Sequence, residues 1–262
     1  MELSLKGKKA LITGASYGLG YSCAKVLAEE GVDLAICGRD KDKVQNAAKE
    51  LASNSSARVL GVRADLTVPC DLTSLVEQAN NFLGDIDILI VSTGHPPTDP
   101  FTVTTDDDWK QGYDLVLQPP IALSRLVLKG MKERKYGRII YIGSIFGIEP
   151  EYSSVVQSTL RTGLNALSKC IATEVASYGI TVNVICPGYF DTPLVRELAK
   201  KYAVSEHVSV DEILSSWAAH SPVKKFGNPE DLGALVALLA SPRGEFITGT
   251  TITIDGGAVK RF

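Results

Sequence analysis

Cysteine, methionine, tryptophan and histidine are scarce in this 262-residue chain, at five, two, two and three copies. The cysteines (Cys23, Cys37, Cys70, Cys170 and Cys186) are odd in number and lack C-x-x-C spacing. That argues against a disulfide framework and for reduced packing thiols in a cytoplasmic setting. No metal site is expected. Segments of membrane-spanning length are also missing, and residues 1–9 alternate charged and apolar side chains without an apolar core. A soluble, unprocessed protein with no membrane partner is the expectation. The formal net charge is −3, so there is no broad attraction for phosphate backbones, and nucleic acid is not an expected partner. Neither an internal repeat nor a Gly-, Ser- or Pro-rich linker divides the chain, and 262 residues suffice for one large core. A single domain over 1–262 is expected.

What the chain does have is alternation. Short apolar runs at 10–13, 32–37, 59–62, 86–91, 138–142, 180–185 and 250–254 are mostly too uniformly apolar to carry a wet face. They read as buried strands of a parallel sheet. Helical patterns lie between them, at 20–30, 41–51, 72–82, 109–133, 159–177 and 229–239. The alternation predicts an α/β fold: a Rossmann-type, doubly wound parallel sheet of seven strands with helices on both faces. Residues 192–220 add helical, polar sequence without a strand, long enough to form a lid over a site.

The first chemical motif follows the first strand: Thr13-Gly14-Ala15-Ser16-Tyr17-Gly18-Leu19-Gly20. Glycines there let the backbone turn tightly and approach a ligand, while the following helix presents free N–H groups to an anion. The position predicts a nucleotide phosphate cradle. At the end of the second strand, Gly38 stands near where an acid would bind the ribose 2′-hydroxyl of NAD, and Arg39 follows it. A guanidinium suits a 2′-phosphate, which favours NADP(H) over NAD; the alternative is a solvated arginine in a strand-to-helix loop.

Several ordered motifs together resemble the short-chain dehydrogenase/reductase family, in its 3-oxoacyl-carrier-protein-reductase-like branch. They are the G-x-x-x-G-x-G turn from Gly14 to Gly20, Arg138-Ile-Ile-Tyr-Ile-Gly-Ser144, Thr162-Gly-Leu-Asn-Ala-Leu-Ser-Lys169, Cys186-Pro187-Gly188-Tyr189-Phe190-Asp191-Thr192-Pro193, and the final run to Gly257. The resemblance spans about 5–257. It implies cofactor contacts from Gly14, Ser16, Gly18, Leu19 and Gly20, from Asp65 and Leu66 at the adenine ring, and from Gly94. It also implies the Pro187-Gly188 turn, with Thr192 at the nicotinamide carboxamide. Asp65 reads equally as a helix N-cap. A homotetramer or homodimer follows from the family, whose last strand and long central helices commonly make the subunit contacts.

The catalytic half departs from the family pattern. Ser144 matches the family's serine, but Gln157 and Arg161 stand where the family has tyrosine and lysine, and Val116 replaces the usual asparagine. Tyr152 lies five residues too early to serve instead. Gln157 donates hydrogen bonds but has no acid function, and Arg161 stays charged, so together with Ser144 they predict a donor-rich pocket suited to a carboxylate or enolate-like oxygen. On the blander reading, Gln157 and Arg161 are polar residues of a helix surface. His95 and Tyr189 are candidates for moving the proton, against ordinary loop roles. Two functional readings follow: an NADP(H)-dependent oxidoreductase acting on a small, anionic carbonyl/hydroxyl substrate by an atypical proton route, and a catalytically silent nucleotide-binding subunit or sensor.

Overall fold

The computed structural model describes residues 2–260. Seven strands, β1 (Lys9–Ile12), β2 (Asp33–Gly38), β3 (Val59–Arg63), β4 (Ile88–Val91), β5 (Gly137–Ile142), β6 (Ile180–Pro187) and β7 (Thr251–Ile254), form one sheet in the order β3-β2-β1-β4-β5-β6-β7. Every pairing is parallel, with Ala10 opposite both Leu34 and Ile88. The strand order reverses between β1 and β4. In open α/β sheets the crevice beyond the strands' carboxyl ends at such a reversal is where ligands bind.

Successive strand side chains go to opposite faces, so β1 sends Ala10 and Ile12 one way and Leu11 the other. The first face packs against α1 (Gly18–Glu29), α2 (Lys41–Ser53) and α9 (Pro229–Ala240) through Leu27, Val44 and Val236. The second packs against α3 (Pro69–Leu83), α5 (Gln118–Arg134) and α6 (Val155–Val175) through Leu75, Val127 and Leu164. Burial on both faces explains why the five inner strands read as continuous apolar runs; the edge strands β3 and β7 are only partly buried.

The helix expected over 109–133 is in fact two: α4 (Asp106–Val116), started by a Thr105–Asp108 capping box, and α5. Pro119 and Pro120 cause the break. They supply no N–H and are tolerated only in a first helical turn, so Leu117 becomes the joint, at φ −105° and ψ −40°. The 192–220 segment forms α7 (Pro193–Glu206) and α8 (Val210–Ala219), which bury Ala199, Ala203 and Ile213 between them in a small core of their own. No helix among the described residues is long and apolar enough to cross a membrane.

Candidate nucleotide and catalytic site

The glycine-rich turn is locked to the sheet reversal. Thr13 Oγ1 donates to the Ser92 carbonyl at 2.8 Å and accepts from the Ser92 N–H at 3.0 Å, tying the end of β1 to β4. Gly14 has φ +58°, and a Cβ there would lie 2.6 Å from the Ser92 oxygen. A side chain at Gly20 would run into the Gly14 carbonyl, whereas Gly18, at φ +68°, opens onto free space. α1 starts at Gly18 without a side-chain cap, leaving its first N–H groups free for an anion. Gly38 leaves room for Ser16, whose Oγ would lie 2.9 Å from a Cβ at that position. Leu19 is half-buried against the first core. This cradle fits a dinucleotide's pyrophosphate, with backbone approach at Gly14 and Gly18 and helix N–H groups behind them.

Arg39 is exposed beyond β2 and, with Lys41 and Arg63, lines a depression of about 490 Å³. Its charge also reaches Asp65. Burial pushes that carboxyl's pKa up, but hydrogen bonds from Thr67 and the charges of Arg39 and Arg63 outweigh burial and leave it below the usual value. Asp65 is not the helix cap suggested as its alternative role. It accepts from the Thr67 N–H at 3.0 Å and hydroxyl at 2.8 Å in a local turn, and Val68 precedes α3. Leu66 is buried in the second core. At the other end of the crevice, Gly188 packs against Asp255, where a Cβ would come within 2.9 Å of its Cα, fixing the Pro187-Gly188 turn on the end of β7. Thr192 is buried and caps α7 by accepting from Val195 N–H at 3.3 Å.

Ser144, Gln157 and Arg161 come together. The turn after β5 is held on α6 because Gly147 has no side chain to strike the Arg161 backbone, and its carbonyl accepts from Asn165 Nδ2 at 3.0 Å. Ser144 Oγ accepts from Phe146 N–H at 3.2 Å and from Gln157 Nε2 at 3.3 Å. Gln157 and Arg161 are only 4% and 6% exposed, which overturns the helix-surface alternative. Arg161 donates from Nη1 to the Ile142 carbonyl at 2.8 Å and from Nη2 to Gly94 at 3.3 Å. Gln157 Oε1 and Arg161 Nε are buried without a partner. Among the described residues no carboxylate pairs with this guanidinium, which lies in the sheet crevice as an uncompensated cation. Burial pulls its pKa down to about 10, so it remains charged at neutral pH, and pushes the neighbouring Cys186 thiol up to about 11.

The other proton-transfer candidates separate clearly. Tyr152 is 82% exposed and outside this cluster. Tyr189 stacks on Trp217, with ring centroids 5.7 Å apart, and burial with Tyr202 and Glu151 nearby raises its pKa. His95 is exposed at the crevice mouth, where surrounding protein and the Arg161 charge lower its pKa. Two features escaped the sequence reading. Gly147 was signalled only by being a glycine three residues beyond Ser144, and Thr93, whose buried hydroxyl is unpartnered beside Gly94, carried no signal.

A family profile described as Enoyl-(Acyl carrier protein) reductase matches residues 14–259. The 3-oxoacyl-(acyl-carrier-protein) reductase FabG of Salmonella typhimurium is 31% identical over 255 residues, covering 97% of this chain and 98% of that protein. Among solved structures, L-sorbose reductase from Gluconobacter frateurii, complexed with NADPH and L-sorbose, superposes with a TM-score of 0.96 at 31% identity over 100% of both chains. An actinorhodin polyketide ketoreductase with NADPH superposes with a TM-score of 0.92 at 27% identity, covering 97% of this chain and 98% of that one.

Proposed function

The chain belongs to the short-chain dehydrogenase/reductase family, in its 3-oxoacyl-carrier-protein-reductase-like branch, and from that premise we propose that it interconverts a carbonyl and a hydroxyl on a small anionic molecule without the family's phenol. NADP(H) is the cofactor: two close structural neighbours were solved with NADPH, and the exposed Arg39 after β2 offers a guanidinium suited to a 2′-phosphate. When bound, it supplies or accepts the hydride. Gly14, Ser16, Gly18, Leu19 and Gly20 would cradle its phosphates, Arg39, Asp65 and Leu66 would border its adenosine end, and Gly94, Pro187, Gly188 and Thr192 would frame the nicotinamide end.

The uncompensated Arg161 guanidinium carries the proposal. A buried cation without a counter-charge is costly, and a bound carboxylate or developing oxyanion removes that cost. Ser144 and Gln157 add hydrogen-bond donors to the same oxygen, an arrangement typically contributing about 10²- to 10³-fold per donor to stabilising developing charge. α7 and α8 serve as the lid that excludes water.

One observation favours the other reading, a nucleotide-binding subunit without turnover: the Gln157 amide N–H is already turned onto the Ser144 oxygen and so is partly engaged within the protein. Nicotinamide fluorescence with NADPH tests the common premise. NADPH consumption with keto acids, diketones and sugars then separates the two. Turnover concentrated among the keto acids is expected; binding of NADPH with silence across the panel leaves the non-catalytic subunit.

A further inference from the structure

With no phenol beside Ser144, the proton must come from a titratable group that reaches both the buried donors and water. The segment after β4 brings one there. The Gly94 carbonyl accepts from Arg161 at 3.3 Å. Val156 lies so close to Gly112 of α4 that a Cβ there would clash with it, Pro96 sits within ordinary contact distance of the same point, and the Asp99 carbonyl accepts from the Val155 N–H at 3.3 Å. The chain on either side of His95 is therefore tied to α4 and to the opening turns of α6, which carry Gln157 and Arg161. His95 itself stays open to solvent.

The other ionisable groups around this crevice are poorly placed or poorly matched. Arg161 beneath it keeps its charge at neutral pH, and the buried Cys186 thiol keeps its proton. Tyr189 is stacked on Trp217 with its acidity weakened. Glu151 accepts from Ser153 at the turn before α6, and Asp99 lies on the histidine's own segment. Of these, Arg161 is the charge that acts on the imidazole.

Resting on the function proposed above, we infer that His95 is a further catalytic residue, which carries the proton between the substrate oxygen and solvent. In reduction, hydride adds to the carbonyl carbon with its two electrons and the C=O π pair moves to oxygen. The imidazolium N–H bond then breaks as the O–H bond forms, and the neutral ring regains a proton from water. In oxidation the neutral ring takes the hydroxyl proton as hydride leaves the carbon. Partial desolvation, followed by the Arg161 charge, lowers the imidazole pKa, so the cation is the minor form at pH 7. Reduction therefore speeds up as pH falls towards that pKa and levels off below it. Oxidation is at its plateau at neutral pH and declines on acidification.

The chain has three histidines, so the imidazole signals of His95, His207 and His220 can be followed by NMR, with His95→Gln giving the assignment. His95 should titrate below free histidine, and Arg161→Gln should raise it. With NADP⁺ present, oxamate, a keto-acid analogue that cannot be reduced, should raise it too, since an anion seated at Arg161 screens that cation. In turnover, His95→Gln should lower kcat by about 10²-fold or more and abolish the acid limb, with NADPH binding unchanged. Added imidazole should restore part of the rate of His95→Ala, which a purely structural histidine would not allow. Wild-type rate and pH profile in His95→Gln overturn the inference while leaving the reductase reading intact. If the wild type binds NADPH but reduces nothing, that reading fails, and an oxamate-insensitive His95 signal overturns this one as well.

Discussion

Arg161 shows how little a residue's spacing reveals of its energetic situation. Four residues after Gln157 on one helix face, it was legible from the sequence as a member of the site. Its burial without a carboxylate was not, because that depends on which strands close over it: Ile142 ends β5, Gly94 follows β4, and both carbonyls converge on the guanidinium. Replacing it with Met sets two effects against each other: a desolvated charge is removed, but two carbonyls lose a donor, each worth about 1–3 kcal/mol. The terms offset, so Arg161→Met should leave the melting temperature nearly unchanged. Losing a charge-assisted contact to substrate costs about 1.5–3 kcal/mol, so kcat/KM for a keto acid should fall roughly 10- to 100-fold. A melting temperature lower by ten degrees or more would show a structural arginine instead. The double change Gln157→Tyr with Arg161→Lys restores a phenol and an amine at family spacing and should increase NADPH-dependent reduction of simple ketones. No gain in that assay would count against the account of the pocket.

At the scale of elements, the five inner strands were readable because each is buried on both faces, as in the Ile-Leu-Ile-Val run of β4, whereas the edge strands β3 and β7 are only partly buried and were read from their place in the βα alternation. The α4–α5 break was missed for a definite reason. Backbone bonds from Leu117 to Tyr113 and from Ile121 to Leu117 keep the two helices nearly continuous, so the apolar pattern runs through the joint made by Pro119 and Pro120. The 192–220 insertion was recognised by its length, but its hairpin of two helices was not, since its core comes from small residues such as Ala199 and Ala203. α8 begins with a capping box in which Ser209 and Glu212 satisfy each other's backbone N–H groups. Ser209→Ala should loosen α8 by about 1 kcal/mol. Because α7 and α8 pack on a small core of their own, the effect should appear as faster hydrogen exchange confined to 207–220 and a raised KM. A uniform fall in protection across the sheet would instead make this pair part of the main folding unit.

For the whole molecule, a net charge of −3 conceals a local cationic end. Arg39, Lys41 and Arg63 border one depression beyond β2 and β3, on the side proposed for the adenosine, while the side proposed for the nicotinamide has the buried Arg161. The cofactor preference should therefore be separable from the chemistry. Arg39→Gln removes an exposed guanidinium and should not change the fold. It should weaken NADPH binding by about 10- to 100-fold, the loss of one charge-assisted phosphate contact, while leaving NADH binding within a factor of about two. Arg161→Met should weaken both nucleotides alike or neither, so an equal loss for NADPH and NADH in Arg39→Gln would place the 2′-phosphate elsewhere. The subunit assembly expected from the family can be tested at the opposite edge of the sheet. Phe246 is 99% exposed just before β7, the edge strand that the family expectation makes a subunit contact. Phe246→Asp puts a charge where another copy's β7 edge would approach, and light scattering should show a smaller assembly than wild type at equal concentration. If the assembly is unchanged, the β7 edge is not the contact.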